Sequence, residues 1–125
     1  MEFGDDFVFG ENAGFGNNTK FSNNTKFADS IKIGNNAKFG NNIVFGNNVK
    51  IGSNAKFGIN IMFNYNAKIG PYSKFNHYVS FGNNVTIADN SIFTNGVVFI
   101  ENFNLGKNVI LDTYMLNPIY YNTKN

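Results

Sequence analysis

The chain repeats itself every six residues. From position 3, nineteen consecutive hexads run to Leu116 without a gap, and each begins with a large apolar residue. These residues are Phe3, Phe9, Phe15, Phe21, Phe27, Ile33, Phe39, Phe45, Ile51, Phe57, Phe63, Ile69, Phe75, Phe81, Ile87, Phe93, Phe99, Leu105 and Leu111. A fixed period this short is typical of a β-solenoid, in which each repeat buries its apolar residue by stacking on its neighbours. Period six predicts a parallel β-helix with three short strands per coil.

A longer period of eighteen residues lies inside this pattern. Ile33, Ile51, Ile69 and Ile87 recur with two Phe hexads between them, so three hexads make one coil. The third and fourth residues of the hexads are mostly polar, often Asn-Asn, and suit corners because Asn tolerates the left-handed backbone region. We expect an all-β, single-domain β-helix of about six coils over residues 1–116, with ladders of Phe rings in its core. Residues 117–125 are predicted to be a C-terminal tail or cap.

Composition restricts the possible partners. All ten basic residues are Lys, so the Arg forks that favour specific nucleic-acid recognition are missing. Eight of the lysines lie within residues 12–88, whereas the first eleven residues contain only acids among their charged groups. The basic body leaves open a surface for a polyanion or a carbohydrate.

The same sequence also restricts the possible metal sites and the possible cellular compartment. The absence of Cys excludes disulfides and thiolate metal sites. The N-terminus lacks the basic and apolar regions of a Sec signal peptide, and no apolar run has the roughly 20 residues of a membrane span. We therefore expect no membrane span, and either a cytoplasmic protein or one exported by another route.

The residue before each core position is expected to point outward, which gives three rows. Two rows carry Lys: Lys20, Lys38, Lys56 and Lys74 in one, and Lys32, Lys50 and Lys68 in the other. The third row reads Val8, Lys26, Val44, Met62, Ser80, Val98 and Leu116. Because a solvated face should be polar, we expect Val8, Val44, Met62, Val98 and Leu116 to form an interface. Tolerated surface hydrophobes are the alternative.

The hexad pattern also resembles a known family. An apolar residue, Gly, two corner residues, a small residue and a free residue form the motif of the hexapeptide-repeat proteins, and the resemblance covers about nine tenths of the chain. It implies a left-handed parallel β-helix. The Phe core departs from the Ile, Val and Leu that most members use. Most members are trimeric acyltransferases with an acyl-CoA donor, which would make acetyl-CoA the cosubstrate here.

The resemblance implies a role for the single His. Family acyltransferases use a corner His as general base, and His77 is the third residue of its hexad. Tyr78 follows it where members usually carry an acid or an amide. The γ-class carbonic anhydrases share the family's fold but need three His around zinc, so that activity and any such metal site are excluded.

Two functions therefore stay open. The first is a structural or self-assembling β-solenoid that forms oligomers or fibres, side by side or end to end, without a cofactor. The second is an acyl-CoA-dependent O- or N-acyltransferase of sugars with His77 as general base. The uninterrupted repeat and the uncapped first coil favour the first, because an open strand edge is a template for another strand.

Overall fold

The computed structural model describes residues 2–111 and 119–121. Within these residues the chain forms nineteen short strands and no helix, arranged as the three parallel sheets of a triangular β-solenoid. Consecutive strands along the chain lie in different sheets, and each strand pairs with the strand three places before it. The predicted all-β solenoid with 18-residue coils is therefore confirmed. Left-handed coiling and the domain boundary at residue 116 stay predictions.

The first sheet contains every third strand, starting with the first. Its members in the described chain are β1 (Phe7–Phe9), β4 (Thr25–Phe27), β7 (Ile43–Phe45), β10 (Ile61–Phe63), β13 (Ser80–Phe81), β16 (Val97–Phe99) and β19 (Ile119–Tyr121). The last strand comes from the segment predicted to be a tail or cap, and it pairs in parallel with β16. This sheet therefore continues beyond the eighteenth strand.

The other two sheets have two-residue strands throughout the described chain. The second sheet is formed by β2 (Gly14–Phe15), β5 (Lys32–Ile33), β8 (Lys50–Ile51), β11 (Lys68–Ile69), β14 (Thr86–Ile87) and β17 (Asn104–Leu105). The third sheet is formed by β3 (Lys20–Phe21), β6 (Lys38–Phe39), β9 (Lys56–Phe57), β12 (Lys74–Phe75), β15 (Ile92–Phe93) and β18 (Ile110–Leu111). Each strand is one step of a column that runs along the solenoid.

The core is a set of aromatic ladders. Phe27, Phe45, Phe63 and Phe81 stack along the first sheet with ring centroids 4.6, 4.8 and 4.2 Å apart. Rings from the first and third sheets meet edge to face, as Phe45 and Phe57 do at 6.1 Å and 68°. Both geometries are favourable for aromatic pairs. The predicted Phe ladders are confirmed.

Small side chains make room for these rings. The fifth residue of each hexad also points inward, and it is small in many coils. Ala37, Ala55 and Ala67 are completely buried, and so are Ser73 and Ser91. Alternation of large and small residues lets a narrow interior reach native packing density.

The corners explain the abundance of Asn. The fourth residue of each hexad from Asp6 to Asn108 has a positive φ between 58° and 73°, and Asn occupies most of these positions. This left-handed conformation suits Asn because its short polar side chain costs little there. The second residue is commonly Gly because consecutive coils approach closely. A Cβ at Gly46, for example, would lie 2.9 Å from the carbonyl carbon of Asn64.

Candidate functional site

Polar third residues of the hexads join consecutive coils at the corners. The Oδ1 atom of Asn23 accepts a hydrogen bond from the N–H of Asp5 at 2.7 Å, and Asn35 accepts one from the N–H of Asn17 at 2.8 Å. Each bond links residues eighteen apart, so the bonds follow one another along the corner. They satisfy backbone donors that would otherwise depend on water.

His77 is part of such a corner ladder. Its Nδ1 atom accepts a hydrogen bond from the N–H of Ile59 at 3.1 Å. Its own N–H donates to Oδ1 of Asn95, also at 3.1 Å. Because Nδ1 is the acceptor, the neutral ring carries its proton on Nε2. The residue predicted to be catalytic thus occupies the position that Asn23 or Asn35 occupies elsewhere.

This geometry bears on the chemistry of His77. A general base needs a ring nitrogen with a lone pair directed at the substrate's proton. In His77 the Nδ1 lone pair is directed at Ile59, and Nε2 holds a proton. These contacts support a structural role for His77 at the corner. Its role as general base stays a prediction.

Lysine side chains form two columns on the outside of the solenoid. Strand register places Lys20 beside Lys38, Lys38 beside Lys56, and Lys56 beside Lys74 on the third sheet. On the second sheet, Lys50 lies between Lys32 and Lys68. Paired strands are ~4.8 Å apart, so each column presents a regular row of positive charge.

Shallow grooves lie between these columns and the adjacent corners. The groove of the second sheet has a volume of about 410 Å³ and is lined by Asn48, Lys50, Asn66, Lys68, Asn84 and Thr86. A groove of about 470 Å³ on the third sheet is lined by Asn54, Lys56, Tyr72, Lys74, Asn90 and Ile92. We call the second one the Tyr72 groove. It differs from the first by combining two lysines with an exposed aromatic ring.

Sequence reasoning did not identify Tyr72. Its side chain is 57% exposed, and its φ of 61° is that of the corner position. The available signal was a Tyr in the fourth place of a hexad, where Asn is usual. Tyr78 is a second such case, with a φ of 61° and 61% exposure, but it precedes a strand of the first sheet.

The predicted apolar row lies on the first sheet. Register aligns Val8, Lys26, Val44, Met62, Ser80 and Val98 along one outer face. Val8, Val44 and Met62 are exposed. Leu116 lies outside the described residues, and Tyr120 of β19 occupies the position beside Val98. Lys26 and Ser80 interrupt the row, so its apolar residues do not form one continuous patch.

The N-terminal coil exposes rings that are buried elsewhere. Phe3 is 46% exposed and Phe9 is 48% exposed, whereas Phe45 and Phe63 further along the solenoid are 1% exposed. Phe3 stacks on Phe21 at 5.4 Å, so the following coil covers one of its faces. At this end β1 and β2 are the last strands of their sheets, whereas Glu2 forms a parallel bridge to Lys20 and covers the edge of β3. The end of the solenoid is therefore both apolar and rich in unpaired backbone groups.

The described residues were also compared with the requirements of a metal site and of a membrane-spanning helix. In the described part of the chain, no group of three or more His, Asp or Glu side chains could hold a metal ion. No helix among the described residues is long and apolar enough to cross a membrane.

Comparison with protein families and with curated proteins identifies no relative of this chain. No protein-family model matches the chain, and a search of the curated proteins finds no match. The resemblance to hexapeptide-repeat proteins therefore depends on the repeat pattern and the solenoid architecture.

Proposed function

We propose that this protein is a structural β-solenoid that assembles end to end through its N-terminal coil. The observation that carries the proposal is the exposure of Phe3 and Phe9 at that end. In an interior coil such rings are covered on both sides. In the first coil only the following coil covers them, so a second copy would bury the remaining apolar surface. Burial of that surface favours association because apolar area leaves water.

Backbone hydrogen bonding supports the same arrangement. Parallel strands at the end of a sheet present N–H and C=O groups to any strand placed beside them. Here β1 and β2 offer two such edges, and Glu2, which forms a parallel bridge to Lys20 of β3, lies at the third side of the triangular end. Another copy of this chain has matching short strands with the same coil length, which makes it a well-fitting partner.

The corner ladders offer further matching groups. Asp5, Glu11 and Asn17 are third residues of the first three hexads, the position from which Asn23 and Asn35 accept N–H groups of the preceding coil. A molecule docked before the first coil would bring corner N–H groups to these side chains. The carboxylates of Asp5 and Glu11 also set a limit, because a partner with acids at its own end would be repelled.

The strand count predicts the geometry of a fibre. The described chain contains six complete sets of three strands and then β19. A partner that continues the sheets must therefore turn by about one third of a circle, and from the coil spacing it advances by roughly 30 Å. Helical parameters measured by electron microscopy would test both values.

Paired surface variants test the proposal. The double variant Phe3→Lys/Phe9→Lys places charge on the N-terminal end, and we expect it to abolish concentration-dependent assembly in sedimentation velocity. The control, Val44→Lys/Met62→Lys, adds the same charge on the first sheet and should leave axial assembly intact. Circular dichroism should show unchanged β structure in both variants.

The outcomes separate the two modes of association. If wild-type protein stays monomeric up to high concentration, the proposal is wrong. If Val44→Lys/Met62→Lys abolishes assembly and Phe3→Lys/Phe9→Lys does not, the copies associate laterally through the apolar row. Compact trimers that persist at all concentrations would favour the acyltransferase alternative.

A further inference from the structure

Tyr72 combines a strained backbone with an exposed ring. A non-glycine residue pays roughly 1–2 kcal/mol for left-handed φ, and Asn reduces this cost through local hydrogen bonds whereas Tyr does not. Burial does not compensate Tyr72, because 57% of it is exposed. At the same corner, Asn54 and Asn90 occupy the equivalent positions one coil before and after. Such strain can mark a functional side chain, and because Tyr78 shares the φ and the exposure, the lysines beside Tyr72 are what distinguish it.

The surroundings of Tyr72 define what it would bind. The groove brings the ring together with Lys56 and Lys74, and with the amides of Asn54 and Asn90. An aromatic face packs well against the C–H face of a sugar ring. Amides bind sugar hydroxyl groups, and the two ammonium groups attract carboxylates. This combination fits a sugar that carries negative charge.

The spacing of the lysines determines which polyanions match the column. The lysine column repeats with the coils, at ~4.8 Å. Phosphates of a DNA strand recur at about 3.4 Å along the helix axis, which does not match the column. Acidic residues on one face of an extended peptide recur at about 6.7 Å, twice the rise of a strand residue. A uronic acid chain carries one carboxylate per sugar for the lysines, together with the ring faces and hydroxyl groups that suit the ring of Tyr72 and the amides of Asn54 and Asn90.

We propose that the Tyr72 groove binds a linear polysaccharide of uronic acids, with its chain parallel to the solenoid axis. One sugar stacks on Tyr72, and carboxylates of the chain pair with Lys56 and Lys74. The column continues through Lys38 to Lys20, so further sugars meet further lysines. This site is independent of end-to-end assembly, because the sheet face and the N-terminal coil are different surfaces.

Calorimetric titration with a hexamer of 1,4-linked mannuronic acid tests the site. Wild-type protein should bind the hexamer, and Tyr72→Asn should weaken binding by about tenfold, a change of ~1.4 kcal/mol. The same substitution should leave the melting temperature unchanged or raise it, because Asn suits the corner better than Tyr. The matched control is Tyr78→Asn, which removes an exposed ring with the same φ beside Ser80 rather than a lysine. It should bind like wild type.

Lysine variants locate the site on one face. Lys56→Ala/Lys74→Ala should lose binding, whereas Lys50→Ala/Lys68→Ala removes the same charge from the second sheet and should retain it. Three results would overturn the proposal: no binding by wild type, equal losses in both lysine pairs, or wild-type affinity in Tyr72→Asn. Equal affinity for polyphosphate of the same charge would also overturn it, since general attraction for polyanions would then explain the binding.

Discussion

Two buried threonines provide a sensitive test of the core. Thr19 and Thr25 are both fully buried and both stand fifth in their hexads. The hydroxyl of Thr19 donates to a backbone carbonyl, with Gly16 O at 3.2 Å and Gly34 O at 3.3 Å. The hydroxyl of Thr25 has no hydrogen-bond partner among the described residues. Register places Thr25 between Phe7 and Ile43, so its surroundings along the column are apolar.

Replacement by Val should therefore have opposite effects at the two sites. A buried hydroxyl without a partner costs about 1–3 kcal/mol, and Val has nearly the same shape without the hydroxyl. We expect Thr25→Val to raise the free energy of unfolding by about 1 kcal/mol. We expect Thr19→Val to lower it by about 1 kcal/mol, the net value of an ordinary hydrogen bond. A change of 1 kcal/mol corresponds to roughly 4 °C in melting temperature for a chain of this size.

Urea denaturation followed by circular dichroism, together with calorimetry, measures both variants. The two substitutions are chemically identical, so their effects on the unfolded chain cancel in the comparison. Equal m-values would show that each variant unfolds over the same cooperative unit, which matters because solenoids can lose end coils separately. If Thr25→Val lowers the free energy of unfolding as Thr19→Val does, the assignment of the Thr25 hydroxyl as unsatisfied is wrong.

Three further predictions concern the ladders. Phe63→Ala should lower the free energy of unfolding by about 3–5 kcal/mol because it leaves a cavity in the stacked core, whereas Phe9→Ala at the exposed end should lower it by about 1 kcal/mol. Similar losses for the two variants in urea denaturation would contradict the core assignment. His77→Ala should cost about 1 kcal/mol through loss of the Ile59 hydrogen bond and His77→Asn should not, while acyl transfer from acetyl-CoA that falls ~10²–10⁴-fold in both variants would support the acyltransferase alternative. The melting temperature should rise between about 0.01 and 0.15 M salt, as the Debye length falls from ~30 to ~8 Å and repulsion within the Lys columns weakens; no rise would mean that the lysines splay apart.

The sequence determined the coil because local requirements recur at a fixed period. A large apolar residue every six positions predicts the inward column that Phe45 and Phe63 occupy. Asn in the fourth place predicts the left-handed corners, because backbone preference is a local property. Periodicity also assigned Lys56 and Lys74 to one outer column, which strand register confirms.

Contacts between coils depend on the tertiary structure, and the repeat period alone does not determine them. The hydrogen bond from the N–H of Ile59 to Nδ1 of His77 depends on the distance between coils, so the sequence alone did not predict it. The final strand pairs Tyr120 with Val98, a pairing that the hexad count did not predict. The Tyr72 groove exists because three coils bring an aromatic ring and two lysines to one surface. Residues eighteen apart become neighbours only through folding, and the chemistry of such a groove depends on which side chains meet there.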